Sequence, residues 1–159
     1  VNELRKINPD LEVVLQDTTS SEEDLNAAGR LALNKFGDRL RVYFSVHTNA
    51  CEAKDANGYM FITGGNATWS DNKLADNLSK AMANNPYVRQ RNNMYNANYI
   101  GELNVVDNFN TIAVLGEFGF FTNDKDLDNL TKDEYIDYIA RNVANEISSL
   151  LNKIDKNKK

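Results

Sequence analysis

The chain has 159 residues, of which 42 % are hydrophobic, and its formal net charge at pH 7 is −5. This length and apolar content predict a single domain with one core. The negative charge argues against a nucleic-acid partner, because proteins that bind nucleic acids usually present a basic face. A single cysteine, Cys51, excludes an internal disulfide framework. No stretch approaches the ~20 apolar residues of a membrane span, so we expect no membrane partner.

Four elements are predicted in the first third of the chain from apolar spacing and from turn and capping residues. They are a helix end at Val1–Ile7, a strand at Leu11–Leu15, a helix from Ser20 or Ser21 to Phe36, and a strand at Arg41–Val46. The last three form a β-α-β unit, which predicts that its two strands are parallel and joined by a right-handed crossover.

The remaining elements are predicted from the same apolar spacing and from the same kinds of turn and capping residues. They are a strand at Gly58–Thr63, a helix from Ser70 to Ala83, a short strand at Leu103–Val106, a turn at Asp107–Asn110, a strand at Ile112–Glu117, a loop at Asn123–Asp128, and an amphipathic helix to Leu151 after a capping box of Thr131 and Glu134. We interpret Asn84–Tyr99 either as a solvated loop or as the wall of a cleft for a polar, acidic substrate. The cleft side chains would be Arg89, Arg91, Tyr95 and Tyr99.

This alternation of strands and helices predicts an α/β fold. We expect an open, mostly parallel sheet with helices on both faces, a three-layer α/β/α arrangement. Residues 1–152 would form the domain, and residues 153–159 a charged tail or linker.

His47 is the only histidine of the chain, and it stands at the end of a β-branched and aromatic run. Ligands of open α/β sheets bind beyond the carboxyl ends of the strands, so a histidine there is both held and exposed. His47 is therefore a candidate metal ligand. The alternative is an ordinary hydrogen-bonded side chain, which is the commoner role of a single histidine near a strand end.

Glu117 ends the second apolar run, from Ile112 to Leu115, just before the break at Gly119. A carboxylate at the end of a hydrophobic strand is unusual and indicates a specific role, because glutamate is rarely buried without a partner. Two strands that each end in one acid-base residue suggest a common site.

Two segments carry a family resemblance. The sequence SVHTNA, which contains His47, resembles the Ser-x-His-x-Asn-Ala segment of the zinc-dependent N-acetylmuramoyl-L-alanine amidases, the catalytic domains of bacterial autolysins and phage endolysins. The sequence AVLGEFGFFTN, which contains Glu117, is similar to their second signature. Both motifs occur in the family's order, with a helix and an irregular stretch between them. The resemblance implies an amidase-like fold.

It also implies a chemistry. The substrate would be peptidoglycan, and the bond cleaved would be the amide between N-acetylmuramic acid and the L-alanine of the stem peptide. His47 would be one zinc ligand, and zinc would activate a water molecule and polarise the carbonyl. Glu117 would take the proton of that water and pass it to the leaving nitrogen. Asn49 and Ala50 would touch the peptide, while a simple turn at Asn49 and Ala50 is an equal alternative. No signal-peptide pattern opens the chain, and the resemblance implies an extracellular or cell-wall location.

The sequence departs from the family in one respect. The family's first zinc histidine and its glutamate ligand have no counterpart here, and we expect the strand and most of the helix that carry them to lie ahead of Val1. One histidine does not bind zinc tightly, so this chain as written is expected to be a weak enzyme or none. The alternatives are a non-catalytic peptidoglycan-binding relic, a related zinc carboxypeptidase, and a plain α/β interaction domain.

Overall fold

A computed structural model describes residues 1–16, 25–106 and 111–157. Its helices in chain order are α1 (Asn2–Ile7), α2 (Leu25–Phe36), α3 (Trp69–Ala81), α4 (Gly101–Val106), α5 (Asp124–Leu130) and α6 (Asp133–Asn157). Its strands are β1 (Val42–Asn49), β2 (Met60–Gly64), β3 (Met94–Ala97) and β4 (Ile112–Phe120). The helices predicted over 70–83 and up to 151 and the strands predicted over 41–46, 58–63 and 112–117 are confirmed within a few residues, except that α6 continues further.

The strands form one sheet in the order β1-β4-β2-β3. β4 is parallel to β1 and antiparallel to β2, and β2 is parallel to β3. The central position of β4 explains its composition, because a strand covered on both faces has no position for a solvated side chain. The predicted fold class, an open and mostly parallel sheet with helices on both faces, is confirmed.

Alternating side chains of the strands separate the core into two layers. On one face, Phe61 and Val114 pack against Leu74, Leu78 and the inner side of α6. On the other face, apolar side chains of the sheet pack against α4, which lies between α2 and the strands. The second layer consists of Met60, Ile62, Ala97, Leu103, Val106, Ala113, Leu115 and Phe120.

The close approach of α2 to α4 depends on Gly29. A Cβ atom at Gly29 would lie 2.7 Å from the carbonyl oxygen of Glu102 and 3.3 Å from Val105. Because the two helices meet nearly backbone to backbone, α4 is held in a fixed position over the second face of the sheet.

The strand predicted at Leu11–Leu15 is wrong, since this segment pairs with no strand in the part of the chain that the structure describes. Its first residue closes a turn, with the Leu11 amide donating to the Asn8 carbonyl at 3.1 Å. The Val13 carbonyl accepts from the guanidinium of Arg5 at 2.6 Å. A side chain therefore satisfies backbone that a neighbouring strand would have paired, and the predicted β-α-β unit does not form.

The strand predicted at Leu103–Val106 is also wrong, because these residues belong to α4. Leu103 and Val106 are both 0 % exposed, and their spacing of three places them on one helix face towards the sheet. A short apolar run fits either a strand or a buried helix, and here the packing partner decides.

Two predicted loops contain regular structure. The segment predicted as a loop at Asn84–Tyr99 includes the edge strand β3. The loop predicted at Asn123–Asp128 is mostly helix α5, whose start is capped by the Asn123 side chain accepting from the Asp126 amide at 3.1 Å. Local hydrogen bonding that the apolar pattern does not show accounts for this helix.

The long helix α6 begins at Asp133, so the predicted N-cap at Thr131 is wrong. The Thr131 hydroxyl instead donates to the Asp128 carbonyl at 3.0 Å. α6 continues to Asn157, and its last turns are tied by an ion pair between Asp155 and Arg41, the residue before β1. The first residues of the predicted tail, 153–157, are therefore helical, while the boundary at residue 152 stays a prediction.

The helix start predicted at Ser20 or Ser21 and the turn predicted at Asp107–Asn110 lie outside the described residues. Among the described helices, none combines the length and the apolar character that crossing a membrane requires.

Candidate functional site

The two residues singled out in the sequence meet in the sheet. β1 and β4 run parallel, and His47 is the register partner of Glu117. Glu117 lies two residues after Leu115 and therefore shares its face of the sheet, the face covered by α4. Two residues that are far apart in the chain are thus placed side by side by a parallel strand pair.

The regular pairing ends just beyond this pair. Asn49 lies opposite Phe120, so β4 contains one more residue than β1 between the two matched positions. Gly119 in this bulge has a φ of +148°, a conformation that side-chain-bearing residues rarely adopt. The bulge shifts the register of the two strands by one residue immediately after His47 and Glu117, and such irregularities are frequent beside active sites.

A third acidic side chain joins the site from α4. Glu102 is only 3 % exposed, and its carboxylate accepts hydrogen bonds from the Tyr43 and Ser45 hydroxyls, both at 2.8 Å. The Nε2 atom of His47 lies 3.2 Å from Oε1 of Glu102 and 2.9 Å from Oγ of Ser45. Glu102 is therefore the hub of a hydrogen-bonded cluster that contains His47.

Glu102 is a site residue that the sequence pattern does not predict, because the segment after Gly101 is predicted as a strand. One signal was present: a charged residue beside Leu103, in a segment whose apolar spacing also fits a helix face. A buried glutamate requires hydrogen-bond partners, and alternate positions of β1 supply them as Tyr43 and Ser45.

The cluster changes the acidity of its members. Burial by itself raises the pKa of Glu102, but the hydrogen bonds from His47, Tyr43 and Ser45 outweigh it, so the pKa lies below its ordinary value. The hydrogen bond to Glu102 raises the pKa of His47 against the opposing effect of burial, and the charges of Glu102 and Glu117 act in the same direction. The site therefore favours an ionised Glu102 beside His47.

Glu117 differs from Glu102, because its pKa lies above its ordinary value. Burial raises its pKa, the neighbouring charge of Glu102 adds to this, and His47 partly offsets it. Its Oε2 atom is enclosed and has no hydrogen-bond partner among the described residues. A carboxyl group with a raised pKa and an unused oxygen is suited to accept and return a proton.

The predicted substrate contacts, Asn49 and Ala50, lie directly after this pair. The Asn49 side-chain oxygen accepts from the Ala50 amide at 2.8 Å, and the Asn49 carbonyl accepts from the Phe121 amide at 2.9 Å. The side chain of Asn49 thus supports a local turn, and the exposed Ala50 is presented at its tip.

Of the predicted cleft residues, Arg91 lies on the site face of the sheet. Its guanidinium stands over the ring of Phe120 at 5.3 Å from the centroid and donates to the Asn57 carbonyl at 3.0 Å. Tyr95 instead donates to the carboxylate of Asp76 on α3 and lines a cavity of about 660 Å³ that His47 and Glu117 do not line. Arg91 lines the same cavity, so two of the predicted cleft residues share a wall, but His47 and Glu117 do not belong to it. The cleft for an acidic substrate stays a prediction.

The two other predicted cleft residues, Arg89 and Tyr99, are both exposed and make separate contacts. Arg89 is exposed, and its Nε atom donates weakly to the Asn57 carbonyl at 3.4 Å. Tyr99 is 70 % exposed, and its hydroxyl contacts the sulfur of Met94.

The metal-ligating atoms that are available decide whether these residues can hold a zinc ion. A catalytic zinc usually has three protein ligands. His47 offers one imidazole nitrogen, but the oxygens of Glu102 are already used by Tyr43, Ser45 and His47. Within 1–16, 25–106 and 111–157, no group of three or more histidine, cysteine or acidic side chains is placed to hold a metal ion. The described residues fit one zinc ligand and not a complete zinc site.

Comparison with known proteins identifies a family that matches most of the chain. The family model described as N-acetylmuramoyl-L-alanine amidase matches residues 2–149. Among curated proteins, no sequence matches the chain.

Three solved structures illustrate the likeness. The catalytic domain of CwlV, an N-acetylmuramoyl-L-alanine amidase from Bacillus (Paenibacillus) polymyxa var. colistinus, is 24% identical with a TM-score of 0.73, and the match covers 95% of this chain and 80% of that chain. An N-acetylmuramoyl-L-alanine amidase from Clostridium difficile 630 is 23% identical with a TM-score of 0.71, covering 95% and 79%. The amidase AmiC2 of Nostoc punctiforme is 18% identical with a TM-score of 0.68, covering 95% and 79%. At these identities the structures show a shared fold.

Proposed function

We propose, from the premise that the chain belongs to the N-acetylmuramoyl-L-alanine amidase family, that Glu117 is the proton-transferring residue of this peptidoglycan amidase and that His47 is one of its zinc ligands. The observation that carries the proposal is the parallel register that places His47 beside Glu117, whose enclosed Oε2 atom has no partner among the described residues. The family implies the substrate bond, the amide between N-acetylmuramic acid and L-alanine of the stem peptide.

Amide hydrolysis needs a base that removes a proton from the attacking water and an acid that protonates the leaving nitrogen. Glu117 supports both roles, because burial raises its pKa and so lets it retain a proton more readily than an exposed glutamate. Its Oε2 atom, which has no hydrogen-bond partner among the described residues, is available to accept that proton. The neighbouring His47 lowers the pKa of Glu117, which keeps the carboxylate available as a base.

A zinc ion in this site would need ligands other than the residues that the structure describes. We propose that His47 supplies one of them, and that the cluster of Glu102 and Ser45 fixes its ring. Zinc content and its dependence on His47 test this part separately from activity. Where those further ligands are present, elemental analysis should show zinc in the wild type that His47→Ala loses, and equal amounts of bound zinc in both would contradict the assignment.

The contacts of Asn49 and Ala50 with the peptide are a further part of the proposal. The turn that Asn49 stabilises presents Ala50 just beyond the His47 and Glu117 pair. A stem peptide lying across this end of the sheet would pass over the turn. Because the substrate is peptidoglycan, we also propose that the protein acts in the cell wall or outside the cell, with no nucleic-acid or membrane partner.

The decisive experiment measures free L-alanine amino groups released from purified peptidoglycan, with zinc supplied. Glu117→Gln should lower the rate by about 10²- to 10⁴-fold, the usual contribution of general acid-base catalysis. Glu134→Gln is the matched control, because Glu134 is exposed on α6. Glu117→Gln retaining the full rate would remove Glu117 from the mechanism.

Other products would point to other activities. Release of a C-terminal residue from the stem peptide would favour a carboxypeptidase. Co-sedimentation with peptidoglycan with no bond cleaved would favour a binding module.

A further inference from the structure

Glu102 is buried beside His47 without a role in the proton transfers described above. It belongs to α4, and its position over the sheet is fixed by the tight contact of α4 with Gly29. Its carboxylate is nearly inaccessible to solvent, at 3 % exposure. A carboxylate this enclosed is tolerated only where hydrogen-bond donors satisfy it, and three donors converge on it here.

The direction of each hydrogen bond follows from the available protons. An ionised carboxylate only accepts, so the Tyr43 hydroxyl donates to Oε2 of Glu102 and the Ser45 hydroxyl donates to Oε1. Because Ser45 has a single hydroxyl proton, its oxygen can only accept from Nε2 of His47, at 2.9 Å. The second neighbour of Nε2, the Oε1 atom of Glu102 at 3.2 Å, is an acceptor as well.

An unprotonated Nε2 would place its lone pair against two oxygen acceptors. Protonated Nε2 instead donates to both, in a three-centre hydrogen bond. We propose that Glu102 is a positioning residue that, together with Ser45, holds the Nε2–H of His47 and leaves Nδ1 as the ring nitrogen with a free lone pair. Its relevance to the reaction depends on the proposed function, whereas the hydrogen-bond geometry does not.

A carboxylate that binds the second N–H of a histidine fixes both the tautomer and the ring orientation. Glu102 achieves this from a different element than the one that carries His47, so α4 and β1 must be docked for the ring to be set. The group that reacts with or binds to His47 is therefore expected to approach from the Nδ1 side.

The test uses the full chain labelled with ¹⁵N and a long-range ¹H–¹⁵N correlation spectrum of the imidazole at a pH at which the ring is neutral. His47 is the only histidine, so its two ring nitrogens are the only imidazole signals. In the wild type, Nε2 should show the shift of a protonated nitrogen and Nδ1 that of a bare nitrogen. A wild-type ring protonated mainly at Nδ1 would overturn the proposal without any variant.

Glu102→Leu removes the acceptor and frees the Ser45 hydroxyl to donate to Nε2, so the Nδ1–H form should increase several-fold. Tyr43→Phe is the matched control, because it removes a hydrogen bond of Glu102 and leaves the contact with His47 in place. A merely structural role of Glu102 predicts the wild-type tautomer in both variants, and that result would refute the positioning role.

L-alanine release separates this inference from the proposed function. Glu102→Leu should lower the rate by about 10- to 100-fold, as loss of a ligand-orienting partner does, while Tyr43→Phe lowers it less. A wild-type chain that shows the expected tautomer but releases no L-alanine would refute the proposed function and leave the assignment of the ring nitrogens intact.

Discussion

The enclosed Oε2 atom of Glu117, which has no hydrogen-bond partner among the described residues, should make this side chain unfavourable for folding. An enclosed polar atom without a hydrogen bond costs about 1–3 kcal/mol, and His47 beside Glu117 offsets part of it. We therefore expect Glu117→Gln, which removes the ionisation, to change the pH dependence of stability. A raised pKa in the folded protein means that the contribution of Glu117 is fully present below its ordinary pKa of 4.5 and is lost as pH rises through the folded pKa.

Relative to Glu117→Gln, the wild type should thus lose unfolding free energy as pH rises from about 4 to neutral pH, by no more than the ~1–3 kcal/mol that an enclosed, unpaired polar group costs. The titration of His47 changes the unfolding free energy in the same direction as pH rises. Glu117 is one cause of the raised pKa of His47, and the variant lacks that charge. Urea unfolding of both proteins at several pH values measures the difference, with Glu134→Gln as an exposed control. A difference that stays constant or favours the wild type as pH rises would refute the reasoning.

Three further substitutions test the fold by urea or thermal unfolding. Leu78→Ala should cost about 2–5 kcal/mol, because the side chain is fully buried under the sheet; a cost below 1 kcal/mol would contradict the packing. Asp71→Ala should cost about 2–4 kcal/mol, since Asp71 accepts from the Ala113 amide at 2.6 Å and completes the cap of α3; an unchanged stability would show that the backbone donor finds another acceptor. Tyr135→Phe should cost about 1 kcal/mol for the hydrogen bond to the Phe118 carbonyl at 2.7 Å, with L-alanine release unchanged; a lost activity would contradict a purely structural role.

The elements that the sequence predicted correctly are those whose local pattern is strong. β1 and β4 are long β-branched and apolar runs, and α3 and α6 repeat apolar residues at helical spacing. Their order along the chain also predicts a layered α/β fold. His47 and Glu117 could be chosen from sequence because each follows such a run and neither is explained by packing.

The wrong predictions share a physical cause. Leu11–Leu15 has strand-like composition, but the Val13 carbonyl pairs with Arg5 and the Leu11 amide closes a turn at Asn8. Leu103–Val106 has an apolar run that fits two structures, and the contact with α2 and the sheet makes it a helix. In both cases a contact made elsewhere overrides a weak local preference.

The sequence by itself therefore determined which residue types are available for chemistry and which strands carry them. Only the tertiary structure decided that His47 and Glu117 are register partners and that Glu102 lies against His47. These relations join segments more than 50 residues apart, and they depend on strand register and on a helix contact that the chain pattern does not encode. Strand pairing and side-chain burial are set by the free energy of the whole fold, so the site exists only once β1, β4 and α4 are packed together.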